Sequence, residues 1–174
     1  MLSEDDIVGY TVAYEREEIF FPVYVVTFAA VALMALGLIK DLPILYALAV
    51  VPAGAAYYNL PLLETGRPRI GAGQYGLFIE GLGLVSWRSI DAIEIAETMQ
   101  RGDVTRDLAI ALKQPIPEAL LADWRRRPIA RKLMRLPWKK ASKTAIRIPL
   151  DILDRPAEVI LATLLRMWRY YRGR

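Results

Sequence analysis

The segment Gly71-Ala-Gly-Gln-Tyr-Gly76 contains three glycines at the spacing of a dinucleotide-binding fingerprint. Dinucleotide binding requires a strand before the glycines and, after them, a helix whose N-terminus holds the pyrophosphate. Here the glycines precede Leu77–Glu80, which has the composition of a strand. The segment therefore predicts a hairpin turn, and we do not expect nucleotide binding.

Carboxylates at Asp91, Glu94 and Glu97 are the remaining candidates for acid–base chemistry. The chain has no histidine, the commonest general base and metal ligand, and no cysteine for a thiolate site or a disulfide. No nucleophile or metal-ligand cluster accompanies the three acids, whose spacing suits a solvated strand edge. The sequence therefore predicts no enzymatic activity, no metal and no cofactor.

Basic residues are concentrated in the second half of the chain. Eleven of them lie between Lys113 and Arg147, against two acids. On a helical wheel at about 100° per residue, the apolar side chains of Ile129–Leu136 occupy one arc and its bases the opposite one. A basic helix whose apolar face is flanked by tryptophans is typical of helices that lie in a membrane interface.

Leu120, Leu121 and Trp124 give a looser helical face upstream, so the segment is predicted to be a pair of helices separated at Pro128. Three interpretations remain open. The pair contacts anionic lipid headgroups, or it packs on its own domain with the bases in water, or it docks on an acidic partner subunit. Nucleic acid is the least favoured partner because no recognised nucleic-acid-binding fold accompanies the bases.

The C-terminal tail, residues 168–174, is both aromatic and basic. It fits the last turn of a packed helix, an anchor at a membrane interface, or a protein contact, because aromatic residues and arginine are enriched at binding hot spots. The residues predicted to contact a membrane surface or a partner are Trp124, Arg125, Arg126, Arg127, Arg131, Lys132, Arg135, Trp138, Lys139, Lys140, Trp168, Arg169, Tyr170 and Tyr171.

An apolar hairpin precedes these elements. Phe20–Ile39 is twenty residues without a charge, which as a helix spans about 30 Å, the thickness of a bilayer core. Leu42–Leu63 is a second uncharged run. Asp41 is placed to cap the second helix, and Pro43 suits its first turn. The sequence predicts a transmembrane hairpin over residues 20–63, and the alternative is a buried hairpin inside a soluble protein.

The charges around the hairpin predict its orientation. Residues 1–19 are acidic, whereas 21 bases and 12 acids follow from Glu64 onward. Two crossings place both chain ends on one side, and the positive-inside rule makes that side the cytoplasm. Residues 1–18 have little apolar periodicity, which is typical of a segment that folds on contact with another chain.

The region after the hairpin, residues 67–174, has the pattern of an α+β domain. Its apolar residues alternate in short runs that turn-formers separate. A C-terminal helix is predicted with Asp154 as N-cap and Pro156 in the first turn. Such a helix would close one end of a bent antiparallel sheet. The predicted strands are Arg69–Ala72, Leu77–Glu80, Leu84–Trp87, Ala92–Thr98, Asp107–Leu112 and Ala145–Ile148.

The order of motifs resembles that of bacterial membrane proteins with a pleckstrin-homology-like domain. The motifs are Arg67-Pro-Arg-Ile70, Tyr75-Gly-Leu-Phe-Ile79, Leu84-Val-Ser-Trp-Arg-Ser-Ile90, Ile146-Arg-Ile-Pro-Leu150 and Arg155-Pro-Ala-Glu158. The resemblance implies an open barrel of bent antiparallel sheet that a C-terminal helix closes, with a basic insertion at about residues 116–140. Phosphoinositide-binding members of the wider fold carry bases around the first hairpin, and residues 70–79 have none.

The resemblance also implies scaffolding, protein binding or membrane-surface binding. We therefore expect a non-enzymatic interaction module in a bacterial plasma membrane, an accessory or assembly subunit of a larger membrane protein complex. Its expected partners are the lipid bilayer and one or more membrane proteins. The alternative is an anionic-lipid-binding adaptor or sensor that acts alone.

Overall fold

Antiparallel strands and two long apolar helices make up the computed structural model, which describes residues 9–15, 17–64, 67–100, 103–125, 131 and 133–173. The described residues form an α+β fold with four helices and two antiparallel sheets. The chain divides into two units. The sheet unit comprises residues 1–15, 66–127 and 136–174, and the hairpin unit comprises residues 16–65 and 128–135.

The hairpin unit contains helices α1 (Glu17–Lys40) and α2 (Pro43–Asn59), and a 3-10 turn, Leu60–Leu63, follows them. Both apolar helices are therefore confirmed. The spans Val23–Lys40 and Pro43–Leu63 are long and apolar enough to cross a membrane. Only 17% and 6% of their residues are buried, so most of the apolar side chains are exposed, unlike those of a core helix in a soluble protein.

A tight turn joins α1 to α2, and it differs from the prediction that Asp41 caps α2. Asp41 adopts a left-handed conformation with φ of 51°, and the N-cap is Leu42, without a side-chain hydrogen bond. Leu42 N–H donates to the Gly37 carbonyl at 3.2 Å, as in a Schellman motif. Asp41 therefore ends the first helix, because aspartate tolerates the left-handed position, and Pro43 begins the second as predicted.

The strands of the sheet unit form two antiparallel sheets, whereas the sequence predicted a single bent sheet. Neither sheet closes into a barrel among the described residues. Five strands pair in the order β1-β2-β3-β4-β7, and four pair in the order β5-β6-β9-β8. The strands are β1 (Tyr10–Val12), β2 (Ile70–Gly73), β3 (Gly76–Ile79), β4 (Gly83–Val85), β5 (Ile90–Gln100), β6 (Asp103–Leu112), β7 (Leu120–Asp123), β8 (Lys139–Lys140) and β9 (Ala145–Pro149).

The first strand lies in a segment for which the sequence predicted no structure of its own. Tyr10 pairs with Ala72 and Val12 with Ile70, and both Tyr10 and Val12 are buried. The chain thus leaves the sheet after β1, forms the apolar hairpin and returns to the adjacent position in the same sheet. Residues 1–8 lie outside the described residues.

The alternation predicted for the later strands is confirmed by their registers. Ile93 lies opposite Ile110, and Ile110 lies opposite Ile146. All three are buried in the core, whereas Glu94 and Arg147 are exposed. This period of two is what fixes the register of a sheet with one buried face.

Two short helices complete the sheet unit, α3 (Ile116–Ala119) and α4 (Ala157–Tyr171). Helix α4 buries Ile160, Leu164 and Met167 on one face. Its N-cap is Pro156 rather than the predicted Asp154. The Asp154 carboxylate accepts a hydrogen bond from Ala13 N–H at 3.2 Å instead.

Candidate interaction surface

The first of the two helices predicted in the basic segment is a strand instead. Leu120, Leu121 and Asp123 belong to β7, which pairs with β4. A Cβ on Gly83 would lie 1.9 Å from the Ala122 carbonyl oxygen, so only glycine permits this close approach. Pairing with β4 satisfies backbone groups that a helix would have left at an open sheet edge, and this outweighs the helical spacing.

The predicted basic helix Ile129–Leu136 is also wrong over its second half. Residues 133–136 form a turn and irregular chain, and residues 126–130 and 132 lie outside the described residues. Arg135 N–H donates to the Tyr58 carbonyl at 2.9 Å, and Arg131 lies 4.0 Å from Glu64. The last turn of a helix has carbonyls without intrahelical partners, so Arg135 N–H satisfies one at the end of α2.

Trp124 and Arg125 lie in the sheet unit beside β3 and β7. The Trp124 ring packs edge-to-face on Phe78 with centroids 5.5 Å apart, yet 51% of Trp124 is exposed. Arg125 Nε donates to Asp123 at 2.9 Å. This hydrogen bond and the charge of Asp123 raise the pKa of Arg125 above its ordinary value. The guanidinium therefore stays charged and forms an ion pair with Asp123.

Trp138, Lys139 and Lys140 lie at the other end of the basic segment. Lys139 pairs with Arg147 and Lys140 with Ile146, so β8 forms an edge of the four-stranded sheet. Both lysines are exposed, whereas Trp138 is half-buried. Arg126, Arg127 and Lys132, which the sequence also predicted as contacts, lie outside the described residues.

The C-terminal tail continues α4 to Tyr171. Trp168 is half-buried and its indole Nε1 donates to the Trp87 carbonyl at 3.2 Å. Tyr170 and Tyr171 pack edge-to-face at 4.8 Å, and Arg169 and Tyr170 are exposed. Trp168 therefore helps to hold α4 against the segment that contains Trp87, while Arg169 and Tyr170 remain exposed.

The described contact residues are divided between the two units. Arg131 and Arg135 belong to the hairpin unit, whereas the tryptophans, the β8 lysines and the tail belong to the sheet unit. We use the name domain surface for the exposed residues of the sheet unit in this set, namely Trp124, Arg125, Lys139, Lys140, Arg169 and Tyr170.

A buried ionic cluster in the sheet unit was missed by the sequence analysis. Arg69 is fully buried, forms an ion pair with Glu80 and stacks 4.6 Å from the Tyr14 ring centre. Its backbone N–H donates to the Val12 carbonyl at 2.8 Å. The cluster thus fixes the chain where it returns from the hairpin. A basic residue close to a long apolar run is normally exposed, so no local pattern indicated this burial.

Glycines 71–76 form the hairpin turn between β2 and β3, as predicted. A strand rather than a helix follows them, so the dinucleotide geometry is absent from this described segment. Asp91, Glu94 and Glu97 are exposed, and Glu97 pairs with Arg106 at 3.3 Å. Within the described residues no group of three or more potential metal ligands comes together.

Comparison with known proteins adds no relative. The chain matches no protein-family model, no curated protein and no solved structure.

Proposed function

We propose that the chain is a non-enzymatic, membrane-anchored interaction module. The apolar hairpin holds a pleckstrin-homology-like domain at the cytoplasmic face of a bacterial plasma membrane. There the domain binds protein, as an accessory or assembly subunit of a larger membrane complex. The bilayer and a membrane protein are its two partners.

The observation that carries this proposal is the position of the hairpin in the chain. Two helices of membrane-spanning length are inserted between β1 and β2, which are neighbouring strands of one sheet. Because Val12 pairs with Ile70, both ends of the hairpin lead into the same folded domain. A folded domain occupies one side of a membrane, so this connection supports an even number of crossings with both ends on the same side.

The elements of the sheet unit support the pleckstrin-homology-like assignment. Two antiparallel sheets precede a C-terminal helix that packs its apolar face against β2, β5 and β6. Domains of this class bind partners through surfaces rather than through a reaction centre. The domain surface includes Trp124, Arg169 and Tyr170, which are exposed side chains of the kinds that are enriched at protein interfaces.

The test is native purification of the tagged full-length protein from membranes in mild detergent, with the co-purifying chains counted. We expect a membrane protein in fixed stoichiometry. Its recovery should fall at least several-fold when Trp124 and Tyr170 are both replaced by alanine. Met99→Ala is the matched control, because Met99 is exposed, apolar and outside the domain surface. A wild-type protein that emerges alone contradicts the complex-subunit proposal.

The second proposal is an adaptor that binds anionic lipid without a protein partner. It is supported by Lys139 and Lys140, which are consecutive exposed residues of an edge strand. Each base near an anionic leaflet contributes about 1 kcal/mol to attraction. Purified protein that carries anionic lipid but no second chain would favour this role.

A further inference from the structure

A cavity of about 270 Å³ lies in the sheet unit between the start of α3 and the segment around β8. Its lining includes Pro115, Pro117, Arg125, Trp138, Lys140 and Lys143. Ile116 N–H donates to the Lys143 carbonyl at 3.0 Å, which ties the two walls together. The two prolines restrict the backbone on one side of the cavity.

The charged groups that line the cavity are all cationic. The positive charge of Arg125 is offset by its ion pair with the Asp123 carboxylate. Lys140 and Lys143 form no ion pair with any carboxylate in the part of the chain that the structure describes. Two positive charges are therefore left without compensation in one concave site, an arrangement that attracts anions.

Trp138 also lines the cavity. Its indole Nε1 is buried and has no acceptor among the described residues. A buried donor without an acceptor is costly and normally has an explanation such as a ligand. Lysine and arginine side chains can only donate hydrogen bonds, so the charged groups of the lining suit a ligand that carries several acceptors.

We propose that this cavity binds a phosphate group. A phosphate is a compact anion with several acceptor oxygens, and lysine binds it as a point charge. A lipid headgroup and free inorganic phosphate share this chemistry. The proposal does not depend on a protein partner for the domain surface, since the cavity would bind phosphate whether or not the chain belongs to a complex.

The test uses the full-length protein in maltoside micelles, which contain no phosphate, with its tryptophans labelled with nitrogen-15. The four tryptophans give four indole signals, and Trp138→Phe identifies the one from Trp138. Inorganic phosphate is titrated against sodium chloride of equal ionic strength. We expect a saturable shift of the Trp138 signal, larger than that of the other three, and one bound phosphate per chain by equilibrium dialysis.

Matched lysine variants distinguish a specific phosphate site from nonspecific electrostatic attraction. Lys140→Gln and Lys143→Gln should each weaken phosphate binding about tenfold, the scale of one charge-assisted contact. Lys139→Gln removes the same charge from the neighbouring residue, which does not line the cavity, and should leave binding unchanged. Equal weakening by all three variants would overturn the proposal.

Anionic lipid provides the second arm of the experiment. Phosphatidylglycerol is added to the micelles without inorganic phosphate. A Trp138 shift with this lipid identifies a headgroup as the source, and a shift with inorganic phosphate alone identifies the free anion. Either result supports a phosphate site. If neither probe shifts the Trp138 signal and dialysis finds no bound phosphate, the proposal is wrong.

Discussion

Replacement of Glu80 by glutamine tests whether the buried ionic cluster stabilises the sheet unit. Arg69 is fully buried, and 24% of the Glu80 side chain is exposed. Removing one partner of a buried pair costs about 3–5 kcal/mol. Partial solvent access of Glu80 and the Tyr14 ring, whose contact contributes about 1 kcal/mol, both reduce this cost. We therefore expect Glu80→Gln to lower the free energy of unfolding by about 2–3 kcal/mol.

Thermal unfolding of the full-length protein in detergent, followed by tryptophan fluorescence, measures this effect. The expected decrease in Tm is about 5–10 °C for a chain of this size. Glu97→Gln is the matched control because Glu97 pairs with Arg106 in solvent, where such pairs contribute about 0–1 kcal/mol.

A double-mutant cycle isolates the pair itself. Once Arg69→Met has removed the buried charge, Glu80→Gln should cost little more, which gives a coupling energy of about 2 kcal/mol. Equal effects of Glu80→Gln and Glu97→Gln, or additive effects of the Arg69 and Glu80 variants, would refute the electrostatic account of the cluster.

Two glycine substitutions test close approaches at glycine positions, each with a control glycine in the same unit. A Cβ on Gly76 would lie 2.2 Å from a backbone oxygen of β4, whereas one on Gly73 meets nothing within 4 Å; Gly76→Ala should therefore reduce the yield of folded protein severely and Gly73→Ala should not, as judged by the melting profile. In the hairpin unit, a Cβ on Gly37 would lie 3.1 Å from the Tyr46 ring, and Gly54 has open space around it. Gly37→Leu should lower the melting temperature in detergent by several degrees and Gly54→Leu by less. The reverse order would contradict the packing of the Tyr46 ring against Gly37.

The hairpin and most strands could be predicted because their signals are local. An uncharged run of bilayer length identifies each apolar helix, and period-two alternation identifies β5, β6 and β9. The glycines at 71–76 predicted their hairpin turn in the same way, from composition over a few residues. These elements depend little on what the rest of the chain does.

The elements that the sequence missed depend on distant partners. β1 has three residues and its partner strand follows the entire hairpin, so no local sequence pattern indicates β1. Leu120–Asp123 has helical spacing, yet the free edge of β4 makes it a strand. Arg69 is buried because Tyr14 and Glu80 converge on it from separate segments. The β1 pairing also means that a fragment beginning at residue 67 lacks an edge strand, so experiments on the domain should retain residues 9–15.

We propose that the hairpin crosses a membrane with both of its ends at the cytoplasmic face. The chain has no cysteine, so single cysteines can report sidedness without interference. Thr11, Lys40 and Ser142 are exposed positions in β1, in the turn of the hairpin and in the loop after β8. Each is replaced by cysteine in a separate full-length variant and treated with a membrane-impermeant maleimide in intact spheroplasts and after lysis.

We predict that the Lys40→Cys variant is labelled in intact spheroplasts, whereas the Thr11→Cys and Ser142→Cys variants are labelled only after lysis. Protection of all three positions until lysis would mean that the hairpin does not cross the membrane. Opposite sidedness of the Thr11 and Ser142 positions would contradict the claim that both ends of the hairpin enter one domain on one side.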